Sequence, residues 1–223
     1  METETDLTAF VARVFACSPA TAEAVARRAA VRVYAKRAAV LRQGDACSDT
    51  WLVMAGRAQA LVYGADGQLA MIQEYEGGDL FGAITAMDSG PQAADVVAVE
   101  TLRAALFLSG DFLELIEAHS AVGLAVSRML LRQLRSATGR MVERLILTAA
   151  GRVRAELLRL ARDEDGRLVI RSPPSWAALA VRIHTARETV SREVSKMERL
   201  GQIRREDGAI VLVAPRRIEE GVV

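Results

Sequence analysis

Five side chains with complementary hydrogen-bonding chemistry fall within one short run: Arg187, Glu188, Thr189, Ser191 and Arg192. A guanidinium can present two donors to an acceptor pair such as guanine O6 and N7. A carboxylate can accept from cytosine N4, and hydroxyls can hold phosphates or bases. Each good bidentate contact gives roughly 1–3 kcal/mol of discrimination between bases. An ordinary solvated helix with Arg–Glu pairs would show the same residue types. The elements that carry these residues therefore decide what they can do.

Ser175 to Val213 reads as helix, short turn, helix, glycine and hairpin. Ser172-Pro173-Pro174-Ser175 breaks the chain, and Ser175 can cap a helix over Trp176 to Ile183. His184-Thr185 makes the turn, Ala186 to Leu200 the second helix, and Gly201 its C-terminal cap. Gln202 to Val213 reads as a hairpin with Asp207-Gly208 at its tip. Leu179, Ala180 and Ile183 face Val190, Val194 and Met197, and the small Ala180 lets the helices cross closely. This is a helix-turn-helix followed by a wing, an arrangement that brings the first turns of the second helix into a major groove.

Upstream, the chain has a different period. Leu7 to Cys17 is short and amphipathic, and Ser18-Pro19 opens a second helical piece over Ala20 to Ala30. From Val31 the pattern alternates. Val31 and Val33 lie on one face with Arg32 and Tyr34 on the other; Leu52–Met54 and Ala58–Ala60–Val62 repeat the period. Turn signals interrupt these runs, Asp66-Gly67 giving a hairpin between Val62 and Met71. Short strands ending near Leu108 predict a small β-roll or sandwich with room for one small ligand. After Gly110 the period becomes helical. Asp111 caps Phe112 to Ala118, and a long helix follows to about Leu147. Leu130, Leu134, Ala137, Met141 and Leu145 recur in it at coiled-coil-like steps, which predicts a dimer seam. Gly151 to Ala161 is a further helix, Asp163 to Gly166 a turn, and Leu168 to Ile170 a strand.

Composition and charge narrow the function. The 223 residues include 29 basic and 28 acidic side chains, so the net charge is +1 and a uniformly basic coat is excluded. Up to Leu147 there are 14 Lys+Arg and 17 Asp+Glu, or −3; the remainder holds 15 and 11, or +4. An acidic front and a basic back suit two domains with different partners. The two cysteines, Cys17 and Cys47, are too few for a disulfide framework or a four-thiolate metal site. His119 and His184 make no metal-binding pair in sequence, and no nucleophile–base constellation stands out. The N-terminus lacks the form of a signal peptide, and no apolar run spans a bilayer. The expectation is a cytoplasmic protein that is not an enzyme, carries no metal or cofactor, and does not enter membranes.

The run Ala186-Arg187-Glu188-Thr189-Val190-Ser191-Arg192-Glu193-Val194, followed by Met197 to Ile203, resembles the recognition segment of the Crp/Fnr family of bacterial transcription regulators. Leu41 to Asp45, Leu52 to Ala58 and Gly77-Gly78-Asp79-Leu80-Phe81-Gly82 follow that family's β-roll glycine pattern. The resemblance runs from about Val31 to Val213. It implies an α+β chain with an N-terminal cyclic-nucleotide-binding-like β-roll (a jelly roll), a long dimerisation helix, and a C-terminal winged helix-turn-helix. The implied division is residues 1–110, 111–147 and 148–223. It further implies a homodimer on double-stranded DNA, with RNA polymerase and a small-molecule effector as possible partners. Arg187, Glu188 and Arg192 match the family residues that read TGTGA-like half-sites of an inverted repeat.

The resemblance fails in the ligand cassette. Members that bind cyclic AMP place a Glu after the Gly-Asp-Phe-x-Gly motif and an Arg about ten residues later. Here those positions are Ala83 and Ala93, and no Lys or Arg lies between Arg57 and Arg103. A buried phosphate without a cation is poorly stabilised, so control by cyclic AMP in the usual way is not expected. The pocket the cassette implies comprises Gly78, Leu80, Phe81, Gly82, Ala83, Gln92, Ala93 and Ala94. Thr138, on the long helix, stands at the family's contact position from the other subunit. Three readings of the roll stay open: another small molecule such as a cyclic dinucleotide; an apolar ligand among Met54, Leu61, Met71, Ile72, Phe81 and Ile84; or no ligand. An effector-sensing module acting on a protein partner is the alternative to DNA binding.

Overall fold

The computed structural model describes residues 2–64 and 69–222. Contacts divide the chain into two compact units, Met1–Gln68 with Ile72–Ala137, and Leu69–Met71 with Thr138–Val223. The division falls inside one strand, residues 69–75, and inside one helix, residues 120–146. The Asp66-Gly67 hairpin signal lies outside the described residues. Among those residues no single helix is long and apolar enough to cross a membrane.

The first unit starts with α1 (Glu2–Phe15) and α2 (Pro19–Arg27), continues through β1 (Ala29–Tyr34), β2 (Ala39–Leu41), β3 (Thr50–Ala55), β4 (Ala58–Tyr63), β5 (Leu69–Tyr75) and β6 (Leu80–Phe81), and reaches α3 (Ala83–Asp88). β7 (Asp95–Ala98), β8 (Leu102–Phe107), α4 (Ser109–Ala118) and α5 (Ser120–Ile146) follow. The strands form two four-stranded sheets, ordered β1-β8-β3-β6 and β2-β7-β4-β5. Trp51, Val53, Leu102 and Ala104 point between the sheets, where they meet Ala58, Ala60, Val96 and Ala98. Leu52, Ala105 and Phe107 point the other way, onto α1, α2, α4 and α5. Thr50 to Val53 are therefore all buried, because each face of β3 meets another layer.

Several sequence expectations shift. Ser18 caps α2 as expected, accepting from Thr21 N at 3.2 Å. The helix stops at Arg27, and Ala29 and Ala30 join β1, where they pair with Phe107 and Leu106. Val33 does not share a buried face with Val31: it is 66% exposed, at the edge of a sheet whose helical cover does not reach it. Asp111 is not the cap of α4. The helix starts two residues earlier, after Leu108, and Asp111 lies in its first turn, where a carboxylate suits the helix dipole. The extended backbone of His119 separates α4 from α5.

The second unit holds α6 (Ala149–Leu160), β9 (Arg162–Glu164), β10 (Arg167–Ile170), α7 (Trp176–Ile183), α8 (Arg187–Arg199), β11 (Ile203–Glu206), β12 (Ala209–Leu212) and α9 (Pro215–Glu220). Thr148 caps α6 through Gly151 N at 3.0 Å. What reads in sequence as a turn at Asp163–Gly166 is a hairpin between β9 and β10, its tip Asp165-Gly166 at positive φ. The wing tip Asp207-Gly208 has the same form, as a two-residue hairpin of this type requires.

One ion pair ties the helices of this unit together. Arg154 on α6 donates through Nε (2.7 Å) and Nη2 (2.6 Å) to Oε1 of Glu193 on α8, and each side chain is only 8% exposed. A β-carbon on Gly221, just past α9, would lie 1.9 Å from Arg154 Nη1, so a side chain there would displace the guanidinium from its place. Removing one charge leaves the other buried and unpaired, at a cost of about 3–5 kcal/mol. Glu193→Ala and Arg154→Ala should each lower winged-helix stability by that order in urea unfolding of the full chain. Glu193→Leu combined with Arg154→Met should cost clearly less than the two single-alanine effects added.

Candidate nucleic-acid interface and ligand cavity

The exposed face of α8 is set by burial of its opposite side. Leu179, Ala180 and Ile183 of α7 and Val190, Val194 and Met197 of α8 are at most 6% exposed. Ser175 caps α7, accepting from Ala178 N at 3.2 Å. His184 ends it in the left-handed region, and Arg187 opens α8 three residues later. With 100° between successive residues, Arg187 and Ser191 form one row and Glu188 and Arg192 the next. Arg187, Glu188 and Arg192 are exposed, while Thr189 and Ser191 are half-buried. Arg192 Nε leans on Glu188 O at 3.4 Å. Among the described residues neither Arg187 nor Glu188 has an ion-pair partner, so both heads stay available to an outside ligand.

Fixed contacts hold this face in place. Arg152 of α6 donates to Ile183 O (3.0 Å), His184 O (3.3 Å) and Leu147 O (3.0 Å), so one guanidinium ties the turn of the motif to the end of the long helix. Glu156, almost fully buried, accepts from Arg182 at 2.8 Å and also pairs with Arg159.

A groove of about 430 Å³ adjoins Arg187; Trp176, Arg205 and the Gly208–Ile210 part of the wing line it. The Arg205 guanidinium lies 5.4 Å from the Trp176 ring centroid and 3.4 Å from Glu198. Sequence reasoning passed over Trp176 and Arg205. The available signals were an aromatic residue directly after the capping serine and an arginine pair in the wing.

The roll holds a second cavity, of about 210 Å³. Seven expected residues line it: Leu80, Phe81, Gly82, Ala83, Gln92, Ala93 and Ala94. Gly78 does not; it makes the turn before β6, donating to Val53 O at 2.9 Å. Thr138 is exposed and also lies outside the lining. Of the apolar set expected from sequence, Ile72, Phe81 and Ile84 reach the cavity, and Met54, Leu61 and Met71 do not. Gly82 has φ +80°, and a β-carbon there would sit 2.2 Å from Asp49 O, so the turn into α3 requires glycine. Tyr75, Asp88, Leu130 and Gln133 also line it and were not foreseen, nor were Ala60, Thr85, Pro91 and Val96. Tyr75, Asp88 and the α5 pair Leu130 and Gln133 come from three separate segments, which no local pattern joins. No Lys or Arg is among the lining residues.

Along α5 the expected seam is only partly uncovered. Leu134, Ala137, Met141 and Leu145 are exposed, but Leu130 packs against the roll core. Leu124 and Leu131, 52% and 54% exposed, take its place. With Thr138 and Leu145 they recur every seven residues, and Leu134 and Met141 fall between at steps of three and four.

Comparison with known proteins agrees with both halves. Residues 31–119 match the family described as cyclic nucleotide-binding domain, and residues 151–220 the Crp-like helix-turn-helix domain. The cyclic AMP receptor protein of Thermus thermophilus is 30% identical over 189 residues, 85% of this chain and 86% of that one. The structure of FixK2 from Bradyrhizobium japonicum has a TM-score of 0.74 at 22% identity, covering 87% of this chain and 98% of that chain. The c-di-GMP responsive global regulator CLP of Xanthomonas campestris gives 0.76 at 17% identity, covering 87% and 99%.

The turn residue His184 is half-buried, and its side chain meets that of Arg144. Burial first, then the positive charge of Arg144, holds its pKa below the ordinary 6.5. The folded imidazole thus stays neutral where the unfolded one takes up a proton. Because the unfolded state binds more protons there, stability is lost as pH falls through about 6.5. His184→Asn, which tolerates the left-handed conformation, should remove that part of the loss. Urea unfolding of both proteins between about pH 7 and about pH 5.5 checks it.

Proposed function

The chain belongs to the Crp/Fnr family of bacterial transcription regulators, and from that premise we propose that it acts as a homodimer reading an inverted repeat with TGTGA-like half-sites. It is a DNA-binding transcription regulator with a cyclic-nucleotide-binding-type domain. Residues 1–110 form the sensor, 111–147 the dimerisation segment and 148–223 the reader. The observation that carries the reading is the pair Arg187 and Glu188, exposed and without ion-pair partners in the first turn of α8, on a helix anchored by a buried ion pair. Arg187 and Arg192 donate to guanine edges, Glu188 accepts from cytosine, and Thr189 and Ser191 hold phosphates or bases. The uncovered stripe Leu124–Leu131–Leu134–Met141–Leu145 supports pairing of two copies along α5. Trp176 and Arg205, beside the readout face, hold the DNA backbone.

Cyclic AMP does not control the protein in the usual way. A cyclic phosphate in the roll would meet Ala83 and Ala93, a carboxylate at Asp88, and no cation among the lining residues. The Xanthomonas relative is described as c-di-GMP responsive. A cyclic dinucleotide carries two phosphates, and the same want of a cation weighs against seating it in the roll.

Fluorescence anisotropy of the ligand-free protein on a TGTGA-type inverted repeat, beside a scrambled duplex, tests the reading. Site-selective binding that weakens steeply with salt is expected, with a slope of about −0.9 per phosphate neutralised. Arg187→Ala should reduce the site preference by about 1–3 kcal/mol with the dimer intact. Equal loss on both duplexes would remove Arg187 from base readout. Arg205→Ala should weaken both duplexes alike and reduce the salt slope by about 1. Leu134→Asp with Met141→Asp should give a monomer in light scattering. A dimer in that variant would place the seam elsewhere.

A further inference from the structure

The roll cavity is selective by what it lacks and by what it offers. Among the described residues its one charged lining side chain is the Asp88 carboxylate, and the other polar lining side chains are Tyr75, Thr85, Gln92 and Gln133. The amide nitrogens of Gln92 and Gln133 already donate to Cys47 O and Leu80 O, both at 2.7 Å. The Asp88 carboxylate, one oxygen of which accepts from Gly90 N at 2.9 Å, and the two amide oxygens are acceptors, so the polar wall is rich in them. An anion placed there faces a carboxylate and meets no cation, and its own hydration is lost on entry. A ligand that donates one hydrogen bond suits the same wall.

The remaining surface is apolar and partly aromatic. Phe81 lies stacked on Trp51, with centroids 5.3 Å apart and planes 7° apart, and Tyr75 stands 5.4 Å away at a tilt. Ile72, Leu80, Ala83, Ile84 and Val96 complete the wall. A planar ring has a fixed aromatic surface to lie against. At about 210 Å³ the space falls below the roughly 300–1,000 Å³ typical of sites for drug-sized ligands. The occupant is therefore small, with one or two rings. Leu130 and Gln133 of α5 line the cavity, so an occupant touches the helix that carries the uncovered stripe.

We propose that this cavity is the effector site for a small, uncharged, planar aromatic molecule bearing one hydrogen-bond donor, of the phenol or aryl-amine class. The proposal deepens the reading that cyclic AMP is not the effector and rests on it. Asp88 accepts the donor, the Phe81 and Tyr75 rings hold the planar part, and Leu130 and Gln133 carry the difference between filled and empty cavity to α5.

The test uses the full-length protein and the uncharged two-ring fluorophore 1-naphthylamine. Its emission should rise saturably, with one site per chain. 2-Naphthol should displace it about tenfold more effectively than 2-methoxynaphthalene, which lacks the donor. Asp88→Asn should reduce that preference severalfold. Ala93→Arg, at an exposed lining position, should weaken the fluorophore about tenfold by placing a cation in an apolar site. Millimolar cyclic AMP should leave the emission unchanged. No saturable rise, or equal displacement by the two naphthalenes, overturns the proposal while the reading against cyclic AMP stands. Displacement by cyclic AMP overturns both. A rise that neither substitution alters puts the fluorophore elsewhere and also overturns the proposal.

Discussion

The bond between Arg154 and Glu193 fixes more of the reading half than any other contact. Both side chains are buried, so neither charge is tolerable alone and each constrains the other's helix. Glu193 lies on the inner face of α8, directly after Arg192. Pinning it inward sets the rotation of the whole helix and turns Arg187 and Glu188 outward. The apolar residues Val190, Val194 and Met197 favour the same rotation, but apolar packing tolerates small rolls that a two-donor guanidinium bond does not. Arg152 extends the constraint by capping carbonyls at the ends of α5 and α7. The base readout proposed for this helix needs side chains placed to within a fraction of an ångström, and these two arginines restrict its rotation and its ends.

The parts of the molecule legible in the sequence are those fixed by neighbours along the chain. Ser18 and Ser175 cap the helices they precede, and Asp207-Gly208 turns the wing, because caps and two-residue turns are local; the Thr148 cap, which starts α6 two residues before the expected Gly151, was passed over. That Arg187, Glu188 and Arg192 share one exposed helix face was legible for the same reason, since their spacing on one helix needs no tertiary partner. Which apolar residues of α5 stay uncovered was only partly legible. Leu130 and Leu131 are both apolar, and periodicity cannot choose between them. The roll core takes Leu130, leaving Leu131 on the open face. The burial of Glu193 was equally hidden, because its partner is 39 residues away and a charged residue on a helix is exposed by default.

The roll divides in the same way. The absence of Arg from the cassette could be read directly from sequence, and it stands in the cavity wall. What replaced the cation could not be read. Asp88, at the end of α3, and Gln133, on α5, meet the cassette residues only after the sheets have formed. The apolar set was half right for a related reason. Alternation assigns residues to a face, but β3 and β8 bury both faces, so an inward apolar residue and one under the helices look alike.

A cavity without a cation changes how control can work. A ligand shifts a two-state equilibrium only by its difference in affinity for the two states. Moving a population from 1:99 to 99:1 takes about 5.5 kcal/mol of that difference. A cyclic phosphate clamped by arginine can draw on strong, charge-assisted bonds. A small uncharged ring has mainly apolar burial and one hydrogen bond, which limits how much of its binding can differ between states. Two cavities in the proposed dimer halve the requirement to about 2.8 kcal/mol each. That amount matches a single well-placed hydrogen bond to a charged group, about 1.5–3 kcal/mol. In the proposed dimer, pairing along α5 would then be part of the switch itself, coupling two weak sites to one rearrangement.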